Sequence, residues 1–158
     1  MTQNTSQNDS WYFAYGSNMS KQQMLRRTGS VPESVVARLD NYQLAFRKVL
    51  IGKDVFAMIV PKADSVVYGV AYRCSPKAML QLDHFEGVAE NCYQRETVQV
   101  TAQNGEILNC IVYCGIGFST EAGFPSSDYW DLIKTGAIEH QIPIAYVKEI
   151  QGLAVPLA

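Results

Sequence analysis

The chain lacks what several functional classes require. No apolar run approaches the ~20 residues that cross a bilayer as a helix, so no membrane partner or helical membrane span is expected. Lys and Arg number 13 against 15 Asp and Glu, a formal net charge of -2. With no basic surplus to neutralise phosphates, nucleic acid is not expected as a main partner. The phosphate-loop pattern GxxxxGK is absent. There are only two histidines, His84 and His140. The four cysteines, Cys74, Cys92, Cys110 and Cys114, form no CxxC pair and stand at no metal-ligand spacing with the histidines. Neither a metal site nor a disulfide framework is expected. The first ten residues carry neither a basic stretch nor an apolar one, so they do not read as a signal peptide. A cytoplasmic location with reduced thiols is the default expectation.

What is present suits a globular domain. The 158 residues are 47% apolar, 18% charged and 11% aromatic, enough to bury a core without staples. Met1–Ser10 reads as a flexible tail, and residues 11–158 as a single domain. Strands are expected over Trp11–Tyr15, Ser34–Leu39, Tyr42–Val49, Val55–Val60 (ended by Pro61) and Val66–Arg73. Two more, Tyr93–Thr101 and Glu106–Tyr113, flank the hairpin signal Asn104-Gly105. Helices are expected from Ser20 to Arg27 with Gly29 past the end, from Ser75-Pro76 to about Glu86, from Ser126 or Ser127 to about Glu139, and from Pro143 to near Gly152. Gly115–Pro125 reads as a loop. This order of elements predicts an α+β fold, a mixed β-barrel or strongly curled sheet with a few peripheral helices.

Two places carry candidate chemistry. Tyr15-Gly16-Ser17-Asn18 falls between a predicted strand and a predicted helix, where backbone N–H groups are left over and glycine admits a ligand close to the main chain. Such a turn suits a carboxylate or a developing oxyanion, though an ordinary capped turn has the same sequence. Glu86 lies in the last turn of the predicted third helical segment's predecessor, the helix opened by Ser75-Pro76. On a wheel of ~100° per residue it projects within about 20° of Met79, with Leu82, Ala78 and Phe85 in the same apolar arc and His84 on the far face. Burial and the helix dipole both push such a carboxyl upward, toward the range of a general base near neutral pH. A frayed end with Glu86 in water is the alternative. Tyr93, Tyr113 and Tyr129 read as core or rim residues. Cys110 and Cys114 share a strand face and read as packing, while a Cys–His pair assembled in space stays open.

With these residues in view, the chain resembles the γ-glutamylcyclotransferase family from Trp11 to about Glu149. Tyr12-Phe13-Ala14-Tyr15-Gly16-Ser17-Asn18 is similar to the family's YFAYGSN signature, and Leu82-Asp83-His84-Phe85-Glu86-Gly87-Val88 to its LDxxEGV segment. Pro125-Ser126-Ser127-Asp128-Tyr129, with Gly136-Ala137 and Pro143 downstream, resembles its PSxxY segment. Met19 stands where leucine is common, and Gln141 where glycine is expected. The resemblance implies a β-barrel with peripheral helices, Glu86 as catalytic acid–base, and Tyr15, Gly16, Ser17, Asn18, Tyr93 and Tyr129 as substrate-binding residues. It implies a small-molecule γ-glutamyl amide as substrate, whose α-amine attacks its own γ-carbonyl to give 5-oxoproline and a free amine or amino acid. No metal or organic cofactor is called for, and a homodimer is open to such a chain. The leaving amine could instead be an isopeptide-linked lysine or an antibiotic intermediate. A non-catalytic binding module of the same fold is the rival from another class.

Overall fold

The computed structural model describes residues 8–156. Most of the expected tail, residues 1–7, lies outside them, and Ser10 already opens the first strand, β1 (Ser10–Ala14). Five strands close into a mixed barrel in the order β3, β1, β5, β4, β2, with β2 (Ser34–Val49) pairing back onto β3 (Val55–Cys74). β4 (Tyr93–Ala102) and β5 (Ile107–Gly115) form the Asn104-Gly105 hairpin. β1 runs antiparallel to β3 and parallel to β5. Phe13, Val67, Val70, Tyr72, Val112 and Tyr113 are all essentially without solvent exposure; Phe13 alternates with Val70 and Tyr72 across the barrel wall, and the Tyr72 and Tyr113 hydroxyls reach the elements packed outside it, at Met19 and Asp83. Four helices lie around it: α1 (Lys21–Thr28), α2 (Pro76–Phe85), α3 (Ser127–Glu139) and α4 (Ile144–Ala154).

Two expected breaks are not breaks. The two strands anticipated around Asp40-Asn41 form the one strand β2, and those anticipated around Pro61 form the one strand β3. Asn41 takes a left-handed φ of 66° and Asp64 one of 65°. The Asn41 side chain accepts from the Asp64 N–H at 3.2 Å. Together they make a bulge, with pairing shifting between Asp40 and Tyr42, and a bulge bends a long strand without ending it. Pro61 is tolerated for a reason of parity. Ala57 turns its N–H and its carbonyl away from β2, toward two tyrosine side chains. Four residues on, Pro61 also faces away from β2, so its missing N–H removes no ladder bond.

A third correction concerns the Gly115–Pro125 loop, which contains β6 (Phe118–Ala122) on the outer edge of β2. Its sequence, FSTEA, has three polar residues of five and is mostly exposed, so local pattern carries no strand signal. Pairing with β2 and the contact of Phe118 with the Tyr93 ring, 5.1 Å between centroids, hold it in place.

The caps follow local sequence. Ser20 accepts from Gln23 N–H, Ser75 from Ala78 N–H and Ser126 from Tyr129 N–H, each satisfying one of a helix's unpaired first donors. Gly29 closes α1 with φ 87°. Gln141, where the family pattern suggested glycine, takes φ 60° in the turn between α3 and α4. That conformation explains the preference for glycine there.

Candidate active site

β1 ends at Ala14, and Tyr15 and Gly16 lead into a single 3-10 turn, Ser17–Met19. Its bonds run from Met19 N–H to the Gly16 carbonyl and from Ser20 N–H to the Ser17 carbonyl. The N–H groups of Ser17 and Asn18 precede these bonds and find no acceptor among the described residues, as at any helix start. Side chains hold the turn rigid. Gln23 donates to Ser17 Oγ at 3.2 Å, and Asn18 Nδ2 donates to the Tyr12 hydroxyl at 2.9 Å. From outside, α3 rests directly on the turn's backbone at Gly136. A Cβ there would stand 2.4 Å from both Met19 C and Ser20 N, so only glycine permits this approach.

Glu86 faces the turn across a cavity of about 140 Å³. It is the first residue past α2, not a member of its last turn, and its N–H still reaches the Leu82 carbonyl at 2.8 Å. Its side chain is 18% exposed, so the core-facing projection holds and the frayed-end alternative does not. The chain then turns away at Gly87, φ 65°. Phe85, placed in the apolar arc by the wheel, is instead 48% exposed, with the Arg27 guanidinium carbon 4.9 Å from its ring centre. The helix ends at Phe85, so the edge of the arc reaches the surface. Burial raises the Glu86 pKa above the usual carboxylate range, and the charge and hydrogen bond of Arg27 offset part of that rise.

Tyrosines make the rest of the wall. Tyr15 donates to the Tyr113 carbonyl at 2.7 Å, and Tyr93 to the Ala57 carbonyl at 2.6 Å. Tyr129 is different: its hydroxyl accepts from Ala57 N–H at 3.1 Å. Its own proton meets no acceptor among the described residues, beside the space above Gly16. Burial first of all raises the pKa of all three, so each stays a neutral hydroxyl. The geometry thus brings Tyr15, Gly16, Ser17, Asn18, Glu86, Tyr93 and Tyr129 onto one cavity.

Arg27, Tyr12 and Phe56, to which sequence reasoning gave no site role, also share the wall. Arg27 had a usable signal: it lies three and four residues after Met24 and Gln23, the two buried residues of α1, and so shares their face. Tyr12 stands on β1, three residues before Tyr15, and Phe56 comes from β3, which only the closed barrel brings near. Tyr113, read as a core residue, is buried; its hydroxyl lies 2.6 Å from Asp83 Oδ1, and Asp83 in turn takes two bonds of 2.8 Å from Arg95. This ties α2 to the barrel just before Glu86. The Cys–His alternative finds no support. His84 packs on Phe85 and His140 on Tyr72. No hydrogen bond joins either to a thiol among the described residues, and burial pushes the Cys74, Cys110 and Cys114 thiols up to about 12. All four cysteines are unpaired. Among the described residues no cluster of three or more His, Cys, Asp or Glu could hold a metal, and no helix is long and apolar enough to cross a membrane.

Residues 12–132 match the family model described as gamma-glutamyl cyclotransferase, AIG2-like. The gamma-glutamylcyclotransferase of Homo sapiens is 30% identical over 148 residues, covering 90% of this chain and 77% of the human protein. That of Bos taurus matches to the same extent. A solved structure named gamma-glutamyl cyclotransferase superposes with a TM-score of 0.85 at 28% identity, over 94% of this chain and 89% of its own.

Proposed function

The chain belongs to the AIG2-like gamma-glutamyl cyclotransferase family, and from that premise we propose how its own residues perform the cyclisation. The enzyme is a γ-glutamylcyclotransferase: the α-amine of a γ-glutamyl amide attacks the γ-carbonyl, a C–N bond closes the five-membered ring, and the amide C–N bond breaks. The products are 5-oxoproline and the released amine. Because the nucleophile is part of the substrate, the protein has three tasks. It must fold the substrate, move one proton, and stabilise one oxyanion.

Glu86 moves the proton. Ionised, it takes one from the substrate's α-ammonium, and it returns one to the departing nitrogen as the tetrahedral intermediate collapses. The carrying observation is its placement: a mostly buried carboxyl with a raised pKa, across one small cavity from a turn with uncommitted N–H donors. The Ser17 and Asn18 N–H groups and the Tyr129 hydroxyl are the donors we assign to the substrate's carboxylate and to the oxyanion. Tyr15 and Tyr93, whose protons are already committed to carbonyls, shape the wall and hold the substrate folded. Bringing amine and carbonyl together supplies a large part of the rate, on the order of 7–11 kcal/mol in the best intramolecular cases. The substrate we propose is a small-molecule γ-glutamyl amide. Four unpaired thiols suit a reducing compartment, and we assign the enzyme to the cytoplasm.

The test is a panel of γ-glutamyl amines and γ-glutamyl amino acids, with 5-oxoproline and glutamate measured separately. Formation of 5-oxoproline is expected. Free glutamate in its place would mean hydrolysis and overturn the reading, as would no turnover of any member.

A further inference from the structure

The base and the donor turn come from different parts of the chain, and one side chain touches both. Arg27 Nη1 lies 3.2 Å from Glu86 Oε2 and 3.2 Å from Asn18 Oδ1. The same guanidinium covers one face of Phe85, the residue before Glu86. Arg27 is itself well placed to act as a fixed point. It sits in the last turn of α1, which is capped at both ends, and its side chain is only 21% exposed.

The surroundings leave this role to Arg27 alone. The titratable groups facing Glu86 from the other elements are Tyr12 on β1, Tyr15 before the turn, Tyr93 on β4, Tyr113 on β5, Tyr129 on α3, and Cys92. Burial keeps all of these neutral near pH 7. Asp83 on α2 is closed on Arg95 and Tyr113, and Glu90 and His84 are exposed. Among the described residues, Arg27 is the one cation on the cavity wall.

Resting on the cyclotransferase reading, we propose that Arg27 is a positioning residue for the reaction: one guanidinium nitrogen ties the Glu86 carboxylate to the Asn18 side chain and so holds the base and the donor turn in one geometry. Two consequences follow. The cation favours the form of Glu86 that accepts a proton. The bridge also sets the distance between the proton carrier and the groups that receive the carbonyl, and small displacements of this kind are costly in rate.

The test compares Arg27→Gln, which removes the charge, with Arg27→Lys, which keeps it on a point donor that does not reproduce the fork. Circular dichroism and thermal unfolding check the fold. Two readouts are needed: kcat and KM against pH for a γ-glutamyl amide, and the 13C titration of the Glu86 carboxyl by NMR. In Arg27→Gln, kcat at pH 7 is expected to fall roughly 10- to 100-fold. The acid limb of the rate and the Glu86 midpoint should both move up by about one pH unit or more. Arg27→Lys should bring the limb back to its original position while kcat stays low. A Glu86 midpoint unmoved in folded Arg27→Gln overturns the proposal, as does a lowered kcat with the limb in place, the signature of a merely structural role. If Arg27→Gln does not fold, Arg27→Lys decides: a lowered kcat with KM and the thermal midpoint near wild type supports the bridge, and wild-type kcat, or a fall in kcat matched by a fall in thermal stability, overturns it. The NMR titration needs no turnover. Failure of the cyclotransferase reading itself would appear separately, as no 5-oxoproline from the wild type.

Discussion

The hollow beneath the Tyr15–Asn18 turn encloses about 140 Å³, and the groove between α4 and the bulge of β2 and β3 about 430 Å³. Among the described residues, the larger space carries two acidic side chains, Asp64 and Glu149, and no cation on its wall. The Asp64 N–H is committed to Asn41, so that corner is part of the bend in the barrel. The smaller space sets a carboxylate against its counter-cation, faces both toward unpaired N–H donors, and surrounds them with neutral tyrosines. Convergence of mutually dependent polar groups, not volume, separates the two. The residues to which the family resemblance gave a role, Tyr15, Gly16, Ser17, Asn18, Glu86, Tyr93 and Tyr129, all line the smaller.

The comparison can be broken most directly at Glu86. Glu86→Gln should keep the fold and lower kcat by about 10²–10⁴-fold, because an amide shuttles no proton; 5-oxoproline release by folded variant is the measurement. The wild type adds a pH criterion. Since Glu86 must be ionised to accept a proton and its pKa is raised, activity should disappear on acidification at a pH above the ordinary glutamate value of about 4.3. A limb at or below that value removes the role of burial. Next in size is Tyr129→Phe, which deletes a wall hydroxyl whose proton has no acceptor among the described residues. A loss approaching ~10²-fold in kcat is expected, near the lower end for one oxyanion donor. Tyr15→Phe, losing only a bond to a carbonyl, should cost less, and equal losses would erase the distinction drawn between them.

Gly136→Ala tests the support behind the turn. Its methyl has no room against the Met19 and Ser20 backbone, so unfolding by denaturant should show a loss of roughly 1–3 kcal/mol, together with lowered turnover. The smallest effect belongs to the groove. Glu149→Gln, exposed and remote from Glu86, should leave turnover unchanged and stability within about 0.5 kcal/mol. A marked fall in turnover would mean that the larger hollow takes part after all.

Legibility followed the range of the forces involved. Helix caps at Ser20, Ser75 and Ser126 were readable because the cap and its partner lie within three residues. The Asn104-Gly105 hairpin was readable for the same reason. The continuity of β2 and β3 was not, since Asn41 and Pro61 look like strand ends until their partners are known. β6 had no local signal at all, being made by the edge it pairs with. In the site, Glu86 was visible from helical periodicity. Phe85, one residue earlier, was misplaced by the same wheel because the helix stops there.

What the sequence determined by itself was the inventory: a nearly neutral chain, two histidines, no metal spacing, a glycine-bearing turn after a short strand, and one carboxylate on an apolar face. These are properties of composition and of contacts a few residues long. The tertiary structure decided how the inventory meets. Only barrel closure sets Ala57 between the hydroxyls of Tyr93 and Tyr129, and only the packing of α1 against α2 brings Arg27 to Glu86. Those pairs are separated by 36, 72 and 59 residues, distances over which local propensity carries no information and only the burial of a shared core selects the arrangement.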